Sequence, residues 1–155
     1  METVTLTPIG SVHCTRTRKE DDHWDAEQAW IELDPSQFAA EALAGLADFS
    51  HVAVVFHLNQ VDPAGVEMGA RHPRGNPNWP KVGIFAQRGK DRPNRIGITV
   101  CRVRKIDGLA LHVEGLDAID GTPVLDIKPW VAELGPRGPV YQPLWMTELM
   151  HGYWR

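Results

Sequence analysis

The densest chemistry in the chain lies in one stretch, VGIFAQRGKDRPNRIG, from Val82 to Gly97. An apolar run delivers Phe85 and then Arg88 into the turn Gly89-Lys90-Asp91-Arg92-Pro93-Asn94-Arg95. A guanidinium in such a turn can grip a carboxylate or phosphate through two parallel hydrogen bonds. Pro93 stiffens the turn, Asn94 tolerates positive φ, and Gly97 permits close approach of the backbone to a ligand. A solvated basic turn is the alternative, and spacing alone favours it. A second group of polar residues follows in GLDAIDGTPVLDIKP. On the plain reading Asp120 caps its turn and Asp126 pairs with Lys128 at the surface. On the sharper reading Asp117 accepts from ribose hydroxyls or an ammonium group, as acids that anchor nucleosides do.

Other chemistries find little support. The seven histidines form no metal-ligand spacing, and His51 and His57 lie on a strand without a partner acid, so no metal is expected. Ser50-His51 sits in no nucleophile elbow. Cys14 and Cys101 show no activating neighbours and read as small core residues.

Charge is unevenly placed. Sixteen Lys and Arg against twenty Asp and Glu give a net charge of −4. Between Arg71 and Lys105, however, ten basic residues accompany one acid, Asp91, so that segment carries +9 and the remainder −13. Such asymmetry points to an anionic partner on one face: phosphate, carboxylate or nucleic acid. Scattering of these charges among acids elsewhere in the fold is the competing possibility.

The elements that must position these residues are mostly strands. Gly10, Val12 and Cys14 alternate, with Val4 and Leu6 before them, as one interrupted strand. Ala29, Ile31 and Leu33 make a second. Asp34-Pro35-Ser36-Gln37 reads as a helix start, with Phe38, Ala42, Leu43 and Leu46 on one face as far as Ala47. His51 to Leu58 is a strand buried on both faces. Asn59 to Pro80 is a long Pro/Gly/Asn-rich connection, functional or mobile by its length. Val82 to Ala86 is a short strand; Gly97 to Ile106 is a long one, paired with Leu109–Val113 across the Asp107-Gly108 turn. Val124–Ile127 is a brief strand, and Leu144–His151 is a last helix. Many short strands and few helices predict a mainly β fold, a barrel or sandwich with helical decoration. At 155 residues, 43% hydrophobic and 23% charged, the chain is expected to form a single domain. The longest apolar run, Val52–Phe56, is too short for a membrane span, which needs about 20 residues. No leader opens the chain and no CxxC pair occurs, so a cytoplasmic protein is expected.

Taken together, these segments resemble one family. VGIFAQRGKDRPNRIGITVCRV is similar to the signature of the TsaA/YaeB-like proteins, close to G-[VI]-F-A-T-R-S-x-x-R-P-N-P-I-G, and DGTPVLDIKPW to their second signature. LADFSHVAVVFHL resembles the strand that precedes the first signature, and PIGSVHC fits near the start. The resemblance runs from about Ile9 to Trp130, leaving 131–155 as a C-terminal extension. It implies a small single-sheet β-barrel with one or two short helices that dimerises and binds S-adenosylmethionine. Its TrmO-type members methylate N6 of threonylcarbamoyl-adenosine at tRNA position 37.

By motif position the resemblance assigns the cofactor to Arg88, Ile98, the stretch Glu114-Gly115-Leu116-Asp117, and the strand end His57-Leu58-Asn59. Trp24 and Asp25 correspond to an N-terminal cofactor loop. On this reading Arg88 holds the cofactor carboxylate, Asp117 its ammonium or ribose, and Phe85 or Trp24 offers an aromatic face. Asp120 or Asp126 would orient the attacking amine as the catalytic acid. Arg71, Arg74, Lys81, Arg92, Asn94 and Arg95 would meet the tRNA backbone. Gln87, Gly89 and Arg95 depart from the family's Thr, Ser and second Pro, which relaxes the turn and can alter the substrate. Methyl transfer to a small molecule and a non-enzymatic nucleoside-binding module remain the alternatives.

Overall fold

In the computed structural model, which describes residues 1–155, six strands close into one antiparallel barrel. They are β1 (Gly10–Cys14), β2 (Gln28–Leu33), β3 (His51–His57), β6 (Ile96–Asp107), β7 (Ala110–Glu114) and β8 (Pro123–Pro129). Their order around the barrel is β1-β2-β7-β6-β3-β8, with β1 and β8 completing the circuit through Gly10 and Ser11. The mainly β barrel expected from the strand pattern is thus the fold found.

Alternation dictates the interior. Val12, Ile31, Val52, Val54, Phe56, Cys101, Leu111, Val113 and Val124 are all buried and belong to one cluster. They sit at every second position of their strands, so a single face of a closed sheet buries them all. Gly97 faces the Phe56 ring across the β3–β6 ladder. A Cβ there would lie inside the van der Waals envelope of that ring. The glycine therefore makes room for a core aromatic, not for a ligand.

Three expectations change. The helix from Asp34 does not form; short 3₁₀ turns at Ala40–Leu43 and Leu46–Asp48 stand in its place. Asp34 does cap, accepting from the Ser36 amide at 2.8 Å and from Gln37 Nε2 at 2.7 Å. The Gln37 bond, then those of Ser36, hold its carboxyl below the usual range. Gly45, at φ 82°, ends the segment before a helix can propagate beyond its costly nucleus. Leu43 is buried, and Phe38 and Leu46 pack against the core without any α-helix. Second, β1 starts at Gly10, and Val4 and Leu6 remain exposed. Third, only Val82–Gly83 (β5) is strand, paired with Ala70–Arg71 (β4), and a 3₁₀ turn covers Ile84–Ala86. The long strand and its Asp107-Gly108 hairpin form as expected, with β6 running to Asp107. The sole α-helix, α1, is Leu144–Met150.

Antiparallel closure sorts the connections onto two rims. The β1–β2, β3–β6 and β7–β8 connections gather at one end, and the β2–β3 segment and β6–β7 hairpin at the other. All the motif residues between Arg16 and Asp25, Asn59 and Arg95, and Gly115 and Gly121 therefore share the first rim. Gly97→Ala should lower stability by about 1–3 kcal/mol through overpacking against Phe56. A thermal melt with an unchanged midpoint would remove this account of the glycine.

Candidate functional site

The rim is built around β6. Arg88 Nη2 donates to the carbonyl of Ile98 at 3.0 Å. The hydroxyl of the next residue, Thr99, donates to Asp117. Neighbouring residues of one strand thereby hold the arginine and the acid at the same end of the barrel. Phe85 is 79% exposed beside this turn, and Ile98 is 48% exposed.

The loop from Arg16 to Glu27 is organised by Arg16. Its guanidinium donates to the carbonyls of Asp22 and His23 at 2.9 and 2.8 Å, approaches Glu27 at 3.5 Å, and lies 3.8 Å over the Trp24 ring. Trp24 is only 3% exposed, so its face is already covered by a cation. Asp25 and Glu114 both bond Arg102, at 3.0 Å each, tying the loop to β6 and β7. These bonds, that of Asp25 first, raise the Arg102 pKa. Gly115 takes positive φ, and Leu116 is fully buried, its side chain turned into the core.

His57 ends β3, and burial, followed by the nearby charge of Arg95, lowers its pKa. Leu58 packs on the core, and Asn59 turns back onto the His57 carbonyl. Asp120 accepts from the Cys14 amide at 3.1 Å. Asp126 bonds its neighbour Ile127 and pairs with Lys128 at 2.7 Å. Asp126 thus makes the surface pair the plain reading gave it, whereas Asp120 bonds the distant end of β1 instead of capping its own turn.

The basic residues divide. Arg71 pairs with Asp91 at 2.9 Å, and Arg74 with Asp22 at 3.0 Å. Arg92 donates to the Gln87 carbonyl at 2.8 Å and Arg95 to that of Val61, also at 2.8 Å. Those backbone bonds brace loops but leave the charge uncompensated. Asn94 and Arg95 take positive φ beside Pro93, and Lys81 stands exposed. Scattering therefore pairs Arg71, Arg74, Lys90, Arg102 and Arg104 with acids and leaves Lys81, Arg88, Arg92, Arg95 and Lys105 without an acidic partner. The departure Gln87 has a structural use: it is buried, and its amide bonds the carbonyls of Arg71 and Val82 at 3.1 and 2.9 Å.

Sequence reasoning missed Thr99 and Tyr153. The Tyr153 hydroxyl donates to the second oxygen of Asp117. Burial first, then the Asp117 charge, pushes the phenol pKa well up. Nothing in the sequence local to Tyr153 marks it as a partner of Asp117. A cleft of about 330 Å³ between Pro8 and Pro35, and one of about 200 Å³ beside His112, are lined by neither Arg88 nor Asp117. No three His, Cys, Asp or Glu side chains gather as a metal site, and no helix is long and apolar enough to cross a membrane.

The fold is a closed β-barrel with one loop-built rim, at which Arg88, Asp117 and the exposed ring of Phe85 all lie. Residues 15–135 match the family described as the tRNA-methyltransferase O N-terminal domain. A human tRNA (adenine(37)-N6)-methyltransferase is 40% identical over 103 residues, 66% of this chain and 23% of that protein. A probable S-adenosyl-L-methionine-binding protein of Methanothermobacter thermautotrophicus is 31% identical over 140 residues, 87% of this chain and 96% of the relative. The crystal structure of TrmO from Pseudomonas aeruginosa superposes with a TM-score of 0.75 at 30% identity, covering 92% of this chain and 63% of that one. The chain belongs to the TrmO family through this domain, as its two motifs indicated.

The thiols offer a check on the rim's packing. Burial, then the Asp117 charge, pushes Cys101 up to about 12, and burial raises Cys14 as well. The reactive thiolate is thus scarce at pH 8. Iodoacetamide at that pH should leave Cys101 unlabelled in the native protein and label it after denaturation. Native labelling detected by mass spectrometry would mean that the barrel opens.

Proposed function

We propose that this chain is an S-adenosylmethionine-dependent methyltransferase acting on N6 of threonylcarbamoyladenosine at position 37 of tRNA. The observation that carries the reading is the joint placement of Arg88 and Asp117 by Ile98 and Thr99 at one rim. The names of the relatives support the same cofactor and substrate.

The side chains fit that cofactor at its carboxylate end. Arg88 uses one nitrogen for Ile98 and keeps its other donors for a charge-assisted pair. The exposed Phe85 ring provides an aromatic face for a cation or a base. Asp117 has the charge to take an ammonium or ribose hydroxyls, once Tyr153 yields its oxygen. S-adenosylmethionine, when bound, supplies an electrophilic methyl group open to in-line displacement. The chain's own task is to align donor and acceptor and to exclude water. Lys81, Arg92 and Arg95, which lack acidic partners, provide the charge that would face a phosphate backbone.

Residues 9–130 form the catalytic core of this proposal, and 131–155 are an extension acting with it as one domain. A homodimer accords with the outer face of β3 and β6, where Ile96, Ile98 and Val100 are each 39–48% exposed in a row. Internal pairing of Arg71 and Arg74 favours a second reading, a small-molecule acceptor, because it reduces the charge available to RNA.

Transfer of labelled methyl from S-adenosylmethionine to tRNA, located by nucleoside analysis, tests the activity; cofactor binding without tRNA methylation sinks it. Arg88→Ala should weaken cofactor affinity about 10- to 100-fold, the loss of a charge-assisted pair, and unchanged affinity in calorimetry removes Arg88 from the site. Lys81→Ala should reduce the salt dependence of tRNA binding by about one unit of slope, and an unaltered slope takes Lys81 off the RNA surface.

A further inference from the structure

The polar groups assigned to the cofactor are already engaged by the chain's own C-terminal tail. Tyr153 donates to one oxygen of Asp117 while Thr99 donates to the other. Independently, three successive amides of the cofactor loop, His23, Trp24 and Asp25, donate to the carbonyls of Gly152, Tyr153 and Trp154 at 3.2, 3.0 and 2.8 Å. Consecutive amides pointing one way form an anion-binding concavity when nothing fills it. Here carbonyl oxygens fill it.

The tail is held lightly elsewhere. β8 leaves the barrel at Pro129, on the rim opposite Asp117, and Trp130 still bonds His51 there. The chain must then return along the barrel through the Pro/Gly segment 131–143 before α1 begins at Leu144. No residue of α1 is fully buried, although Trp145, Met146, Leu149 and Met150 are half-buried. Its polar tie to the rim is Glu148, which accepts from Trp79 Nε1 at 2.8 Å. A segment with no fully buried residue that fills two sets of ligand-facing groups has the anatomy of a detachable occupant.

We infer that residues 144–154 are a displaceable plug, and that tail docking and cofactor binding at the Arg88–Asp117 rim exclude one another. This rests on the cofactor reading above. The carbonyls of the tail stand where an anionic group would meet the loop amides, and the Tyr153 hydroxyl where an ammonium or ribose hydroxyl would meet Asp117. Apparent affinity is then the intrinsic affinity reduced by the fraction of molecules with the tail released. The Tyr153 phenol, held protonated by its burial, remains a donor across the ordinary pH range.

The test measures binding of S-adenosylhomocysteine by calorimetry to the full chain and to two variants. Tyr153→Phe removes the bond to Asp117 and should tighten binding by about tenfold, the weight of one hydrogen bond to a charged group. Trp79→Phe removes the tie to Glu148 without touching Asp117 and should tighten binding by a smaller factor. Hydrogen exchange on the full chain gives a readout independent of any variant: ligand should speed exchange in residues 144–155. Weaker binding by both variants, with slower exchange of the tail on ligand addition, overturns the plug and makes the tail a wall of the pocket. Unchanged affinity in both variants places the tail outside the site. Absence of binding to all three proteins defeats the cofactor reading itself and the plug with it.

Discussion

Closing six antiparallel strands on themselves is the constraint from which the rest of this molecule follows. Each strand reverses the direction of the last, so connections fall alternately at two rims. The barrel interior is filled by alternating apolar side chains. Polar chemistry is then left to the connections at the rims. The β1–β2, β3–β6 and β7–β8 connections meet at the same end, which brings Arg16, Arg88, Arg95 and Asp117 together from distant parts of the chain.

Arginine acts in two ways at this rim. Arg16, Arg92 and Arg95 donate to backbone carbonyls and so define loop shape, because a long planar donor can satisfy several carbonyls that no strand reaches. Arg71, Arg74 and Arg102 pair with acids and tie one loop to the next. Arg88 makes a single bond, to the Ile98 carbonyl, and is exposed. Charge clustering in the sequence therefore marks the rim as a whole, while which guanidiniums stay without an acidic partner follows from the loops they engage.

Legibility followed the range of the interactions. The strands β2, β3, β6, β7 and β8 were readable because period-two alternation records burial on one face of a sheet, and the Asp107-Gly108 hairpin because its turn chemistry is local. The segment after Asp34 misled because a cap and an apolar stripe are necessary for a helix but not sufficient. Gly45 stops it too soon for propagation to offset nucleation. Gly97 read as a place for a ligand, yet its partner is Phe56, a residue that only strand pairing brings opposite.

What the sequence determined by itself was the family, the barrel and the list of polar residues at its rim, since motifs, alternation and turns are properties of neighbouring residues. Tertiary structure alone decided which of those residues face outward. The bonds of Tyr153 to Asp117 and of Arg102 to Asp25 span 36 and 77 residues of chain. Contacts of that reach arise only when barrel closure and the returning tail bring the segments side by side, and no local pattern in either segment records them.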